Sequence, residues 1–186
     1  MTKKKLATVW LGGCSGCHMS LLDIDERILE VVKLADIVKC PIVDQKEFPQ
    51  SDVTLVEGSV TSDEHLHELL HIRKQSKVLV ALGDCAVTAN VTGMRNYFTK
   101  EEVFNYAYIQ AVSNDKEGKT PNHPALLKLQ DKVVPLQEIV HVDYVVPGCP
   151  PSADTIFYVL FELLNDRVPV WEQEKPSIPG RKLKYG

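Results

Sequence analysis

The stretch Thr8–Leu34, TVWLGGCSGCHMSLLDIDERILEVVKL, constrains this chain more than any other. A short apolar run, Leu6–Leu11, reaches two glycines and a Cys-Ser-Gly-Cys step, after which Leu21, Ile24, Ile28 and Val31 recur at helical spacing. The first part favours a buried strand and the last an amphipathic helix. Cys14 and Cys17 therefore fall on the turn between the carboxyl end of a strand and the amino end of a helix. Two cysteines three apart on such a turn can aim both sulfurs at one centre, and the N–H groups and dipole of the helix start favour thiolate there. The pair is half of a ligand set.

The same punctuation recurs. Asp36–Val43 reads as an edge strand, broken by Pro41, and Val53–Val56 as a buried strand ending at Glu57-Gly58. Thr61 and Ser62 are helix-cap residues, and Thr61-x-x-Glu64 has capping-box spacing, which predicts a helix through about Gln75. Lys77–Leu82 is a strand that ends at Gly83-Asp84-Cys85, and Val142–Val146 one that ends at Pro147-Gly148-Cys149. Ser152–Leu164 is an amphipathic helix. The region from Ala86 to Val140 is less regular, with a short helix near Glu101–Ala107 and a polar loop at Ser113–Pro124. Alternating strands and helices predict an α/β fold with an open parallel sheet and helices on both faces. Residues 1–164 read as one domain. The proline-broken segment 165–186 reads as an extended tail that contacts a partner.

In such sheets ligands gather beyond the carboxyl ends of strands, at the switch in strand order. Cys14, Cys17, Cys85 and Cys149 all lie just past strand ends, although 67 and 63 residues separate Cys17, Cys85 and Cys149. Four converging thiolates suit tetrahedral zinc or a cubane cluster, with a Cys-x-x-Cys redox pair as a third reading. The layout favours iron and sulfide. Only one pair is local, the domain is large enough not to need a zinc staple, and Gly and Pro crowd every cysteine so that backbone can approach bulky sulfide.

Composition sets the outer bounds. A formal charge of −4 argues against a general nucleic-acid binder, and no apolar run approaches the length of a membrane span. Lys3-Lys4-Lys5 before an apolar octet imitates a secretory signal, but glycines interrupt the octet and no cleavage site follows. The expected compartment is the cytoplasm, where five cysteines are better read as thiolates than as disulfides.

TVWLGGCSGCHMSLLD, VEGSV, GDCAVTANV and VPGCPPSAD, in this order, resemble the small subunit of nickel-iron hydrogenases, most closely the soluble bidirectional NAD-reducing type. The resemblance spans Trp10 to about Asp154. It implies a flavodoxin-like fold and one proximal 4Fe-4S cluster held by Cys14, Cys17, Cys85 and Cys149. It further implies a large subunit carrying the Ni-Fe centre and diaphorase subunits carrying flavin, iron-sulfur clusters and the NAD(P) site. Respiratory members continue past the last proximal cysteine into a domain with further clusters and carry a twin-arginine leader. Here the 37 residues after Cys149 hold no Cys or His, so the expectation is a single cluster. The similar quinone-reducing subunit of complex I has adjacent cysteines where this sequence has Cys14-Ser15-Gly16-Cys17. That spacing favours hydrogenase.

The remaining residues keep two readings. Glu57 and Asp84 stand on the ligand rim as proton-relay or outer-shell carboxylates, or as carboxylates that fix their loops. Cys40 reads as a buried structural thiol, and His18 as a helix-start residue or a donor to sulfur. His67 and His71 share a helix face without an evident third ligand. The aromatics from Tyr97 to Tyr108 could stack an FMN in a flavodoxin-like fold, but core and subunit packing is the expectation. Rival functions are a stand-alone flavin or zinc module and a quinone-coupled subunit.

Overall fold

Period-two alternation in the strands decides which helices each sheet face receives. In the computed structural model, which describes residues 2–114 and 117–170, the strands are β1 (Lys4–Trp10), β2 (Ala35–Lys39), β3 (Ser51–Glu57), β4 (Val60–Ser62), β5 (Ser76–Leu82), β6 (Leu129–Val134) and β7 (Tyr144–Val146). The helices are α1 (Gly16–Leu22), α2 (Ile28–Leu34), α3 (Asp63–Gln75), α4 (Asp84–Thr88), α5 (Asn90–Gly93), α6 (Lys100–Phe104) and α7 (Ala153–Leu164). Leu6, Val53, Leu55, Val80, Leu82 and Val146 bury one face against residues of α1, α2 and α7. Val9, Val56, Leu79 and Ala81 bury the other against Leu69 and Ile72 of α3 and Ala86 of α4. Helices thus cover both faces of a sheet whose order is β2-β1-β3-β5-β7, every neighbouring pair parallel. Counted within that sheet the order is 2-1-3-4-5, the flavodoxin-like winding, whose switch point lies between β1 and β3.

Several expectations shift. The single helix expected after Cys17 is two, because Asp25 takes φ 50° and a 3₁₀ turn, Asp25–Arg27, separates α1 from α2. Ile24 and Val31 are nevertheless both buried, so the helical spacing reported burial correctly across a break it did not reveal. Of the two cap residues expected before α3, Ser62 is the cap, its hydroxyl accepting from the N–H of His65 at 3.2 Å. Thr61 instead hydrogen-bonds the His65 ring at 2.9 Å. β2 stops at Lys39, which leaves Cys40 partly exposed and not the core thiol its apolar run suggested. The irregular middle contains an antiparallel ribbon, β4 with β6.

The described start of the expected tail turns back onto α7. Arg167 pairs with Glu162 at 2.7 Å, Tyr158 meets Val170, and Asp166 pairs with Lys4 of β1. The rest of that segment, 171–186, lies outside the described residues. No helix among the described residues is long and apolar enough to cross a membrane.

Candidate metal centre

β1, β3, β5 and β7 deliver their carboxyl ends to one rim, and each end carries a chemical group. β1 leads to Cys14 and, through the first turn of α1, to Cys17; β3 ends on Glu57; β5 leads to Cys85 on α4; β7 leads to Cys149. All four are free thiols, with Cys17 buried, Cys85 partly buried, and Cys14 and Cys149 exposed. Burial pushes the Cys17 thiol up to about 12, and the charges of Glu57, Cys14, Cys85 and Cys149 add to it. The Cys85 thiol is raised as well, chiefly by burial.

Hydrogen bonds close the rim into a ring. Glu57, 2% exposed, accepts from the N–H of His18 at 2.8 Å and that of Cys17 at 3.4 Å, and takes the His18 ring Nδ1 at 2.5 Å. The Ser20 hydroxyl of α1 donates to Pro151 O at 2.5 Å, next to Cys149. Asp84 ties Cys85 to Cys149 twice: its N–H donates to Gly148 O at 2.9 Å and its Oδ1 accepts from Gly148 N–H at 2.6 Å. Gly12 and Ser59 exchange both backbone bonds, at 3.0 and 2.8 Å, and the Ser59 hydroxyl reaches Thr92 Oγ1 at 2.5 Å. Gly83 has no alternative residue, since at φ +83° a Cβ would lie 2.2 Å from Cys17 Sγ.

The structure thus brings together all six rim residues singled out by sequence. Glu57 and Asp84 are both engaged in holding loops, and His18 is locked onto Glu57 with its Nε2 buried and unpartnered. Ser20, Ser59 and Thr92 were missed; Ser59 lay inside the VEGSV motif, but nothing in a one-dimensional pattern pairs it with Thr92. Outside the rim, His67 bonds Asp63 O at 2.8 Å and His71 packs on Phe48, so the two do not converge on a metal. Tyr97 and Tyr106 are 85% and 79% exposed, which overturns core packing for those two aromatics.

The donor set fits an iron-sulfur cluster. Among the described residues no group of three or more Cys, His, Asp or Glu is close enough to hold one metal ion. Four soft thiols without a nitrogen or oxygen ligand among them suit an iron-sulfide body.

The family profile described as "NADH ubiquinone oxidoreductase, 20 Kd subunit" matches residues 14–163, which contain all four cysteines with Glu57 and Asp84. NAD-reducing hydrogenase HoxS subunit delta of Cupriavidus necator is 38% identical over 89% of this chain and 80% of its own. The solved structure of an NAD+-reducing NiFe hydrogenase in the H2-reduced state superposes with TM-score 0.89 at 35% identity, covering 92% of this chain and 97% of that one. This chain belongs to that family, as a nickel-iron hydrogenase small subunit. A subunit of the F420-non-reducing hydrogenase of Methanothermobacter marburgensis is 39% identical over 94% of this chain, which spans 56% of that relative's length. A NiFeSe hydrogenase from Desulfovibrio vulgaris Hildenborough, TM-score 0.57 at 15% identity, shares the fold alone.

Proposed function

We propose that this hydrogenase small subunit holds one 4Fe-4S cluster with Cys14, Cys17, Cys85 and Cys149 and serves as the electron relay of a cytoplasmic NAD(P)-linked enzyme. Its electrons pass between a Ni-Fe site on a large subunit and a flavin and NAD(P) diaphorase module during reversible H2 oxidation. The observation that carries this reading is the rim itself, where four thiols follow three neighbouring strand ends of one sheet and hydrogen bonds tie their loops to one another. The likeness to a NAD-reducing small subunit along most of both chains supports the partner assignment.

A bound cluster supplies a one-electron couple whose potential depends on burial, local charge and hydrogen bonds to sulfur. The chain's own residues set those conditions. Burial of Cys17 keeps water from one side of the site, Asp84 and Ser20 hold the Cys149 loop against its neighbours, and Glu57 fixes the first turn of α1. Glu57 and His18 also form a buried carboxylate–imidazole pair beside Cys17, a place where a proton can be held close to the transferred electron. FMN is not part of this reading.

The test is iron, acid-labile sulfide, zinc and flavin content of the anaerobically purified chain, with low-temperature EPR after reduction. About four iron and four sulfide per chain, and co-purification with a larger nickel-bearing subunit, are expected. Stoichiometric zinc without labile sulfide overturns the reading. Cys85→Ala and Cys149→Ala abolish the stable cluster signal, and Cys40→Ala leaves it intact. Quinone-dependent turnover with no response to H2 is the outcome that moves the chain to the quinone-coupled class.

A further inference from the structure

Cys149 is the one rim cysteine that its own segment does not hold. Cys17 and Cys85 ride in α1 and α4, and Cys14 stands on the turn into α1, where the Gly16 N–H donates to its sulfur at 3.4 Å. Cys149 falls between β7 and α7, in neither. Pro147, Pro150 and Pro151 around it have no N–H to give. The N–H groups of Gly148, Cys149 and Ser152 are all that the loop can offer, and its anchors come from elsewhere in the chain.

The loop is a tight turn with both feet gripped. At Gly148, φ +137°, a Cβ would lie 2.6 Å from Pro151 Cα, so the chain doubles back and leaves Cys149 and Pro150 exposed at the apex. One foot is Gly148, whose N–H donates to Asp84 Oδ1 at 2.6 Å and whose carbonyl accepts from Asp84 N–H at 2.9 Å. The other is Pro151, whose carbonyl accepts from the buried Ser20 hydroxyl at 2.5 Å. Asp84 directly precedes Cys85, and Ser20 follows Cys17 in α1. Each foot is thus tied by a side chain to a segment that carries another cysteine.

A thiol at the apex of such a turn stays in place only while both feet hold. A gripped loop keeps its sulfur at high effective concentration beside a metal, so that a ligand that lets go rebinds before a competitor arrives. Residues standing behind metal ligands commonly contribute about 10–100-fold to affinity. Neither grip depends on the charge of a sulfur, because both end on backbone atoms of the loop.

We infer that Asp84 and Ser20 are positioning residues that jointly set the place of Cys149 against Cys17 and Cys85, and that retention of iron at the site depends on both. The inference rests on the cluster reading above. It assigns Asp84 to the loop and not to proton transfer, since its Oδ1 acts on Cys149 through Gly148. It also makes Cys149 the ligand whose loosening lets iron go first.

The experiment is anaerobic release of iron from the purified full chain to a ferrous chelator, followed in time, with iron, sulfide and the EPR of the reduced cluster measured at the start. Asp84→Ala and Ser20→Ala are expected to begin with wild-type iron and to release it about 10-fold faster or more. Asp84→Asn, whose amide oxygen still accepts from Gly148 N–H, stays near wild type. Asp143→Ala, which loosens β7 at the end away from the cysteine, controls for general destabilisation and also stays near wild type. Wild-type release from either iron-replete alanine variant overturns the inference. So does an Asp143→Ala rate that matches theirs, or an Asp84→Asn rate that matches Asp84→Ala. If Asp84→Ala fails to assemble, Ser20→Ala decides alone: faster release supports the grip and an unchanged rate overturns it. A wild-type chain with about four iron and four sulfide separates failure of the grips from failure of the cluster reading, which zinc without labile sulfide would overturn together with them.

Discussion

At Gly83 one hydrogen atom decides whether the rim can form. A Cβ there meets the Cys17 sulfur at 2.2 Å, and the backbone already sits at φ +83°. Gly83→Ala is therefore expected to destabilise the chain by about 1–3 kcal/mol, the usual range for an unfavourable backbone conformation, and to lower iron content. Denaturant unfolding and metal analysis check it. Cys17 carries a pH signature in the apo chain. Its folded thiol titrates near 12, above the ordinary value of 9.0, so the folded state favours the protonated form. That contribution is fully present below pH 9 and is lost as pH rises toward 12, and melting temperature against pH reads it. Glu57→Gln removes one of the charges that raise the thiol, so this alkaline loss becomes shallower. The sulfurs and the two carboxylates were legible because cysteines and strand-end acids stand out in a linear pattern. Ser59, Thr92 and Ser20 were not, because a buried hydroxyl gains a role only from what folds against it.

At the scale of elements, short-range chemistry set the starts and stops and long-range contacts adjusted them. Two adjacent hydroxyls stood ready to cap α3; Ser62 does so, and Thr61 is spent on a histidine ring. Hydroxyls in adjacent positions compete for the same N–H groups, and only the local backbone angles choose between them. β7, three residues long, is held against β5 by more than its ladder. Asp143 accepts from Leu79 N–H at 2.7 Å and from Arg73 at 2.6 Å, and returns its own N–H to Leu79 O at 2.9 Å. Burial works to raise this carboxyl, but the Leu79 and Arg73 contacts win and hold it below the ordinary range. Its contribution is thus present above the unfolded value near 4 and is lost as pH falls through the lower folded value. Asp143→Ala is expected to cost about 1–3 kcal/mol by leaving a buried donor unpaired. It should also flatten the acid limb of the stability curve, as chemical denaturation at several pH values would show.

Across the whole molecule, the segments bearing Cys17 and Cys85 also present bare apolar side chains. Met19 and Leu22 on α1 are 60% and 52% exposed, and Val91 and Met94 beyond Cys85 are 59% and 60% exposed. Scattered apolar residues on a surface are ordinary, but four on the two segments that carry Cys17 and Cys85 fit the partner contact that the proposed relay requires. Met19→Glu and Met94→Glu are expected to reduce co-purification with the large subunit while iron content of the chain stays at wild-type level. Loss of iron with association intact would place these side chains in the cluster site instead. Read on its own, the linear sequence determined the strand ends, the α/β class, the four thiols at those ends and the hydrogenase resemblance, since periodicity, glycine and cysteine are local signals. Only the tertiary structure decided that Glu57 grips α1 from 39 and 40 residues away, that Asp84 latches a loop 64 residues on, and that Ser59 meets Thr92 33 residues on. Those pairings follow from strand order, which leaves no periodic trace in one dimension.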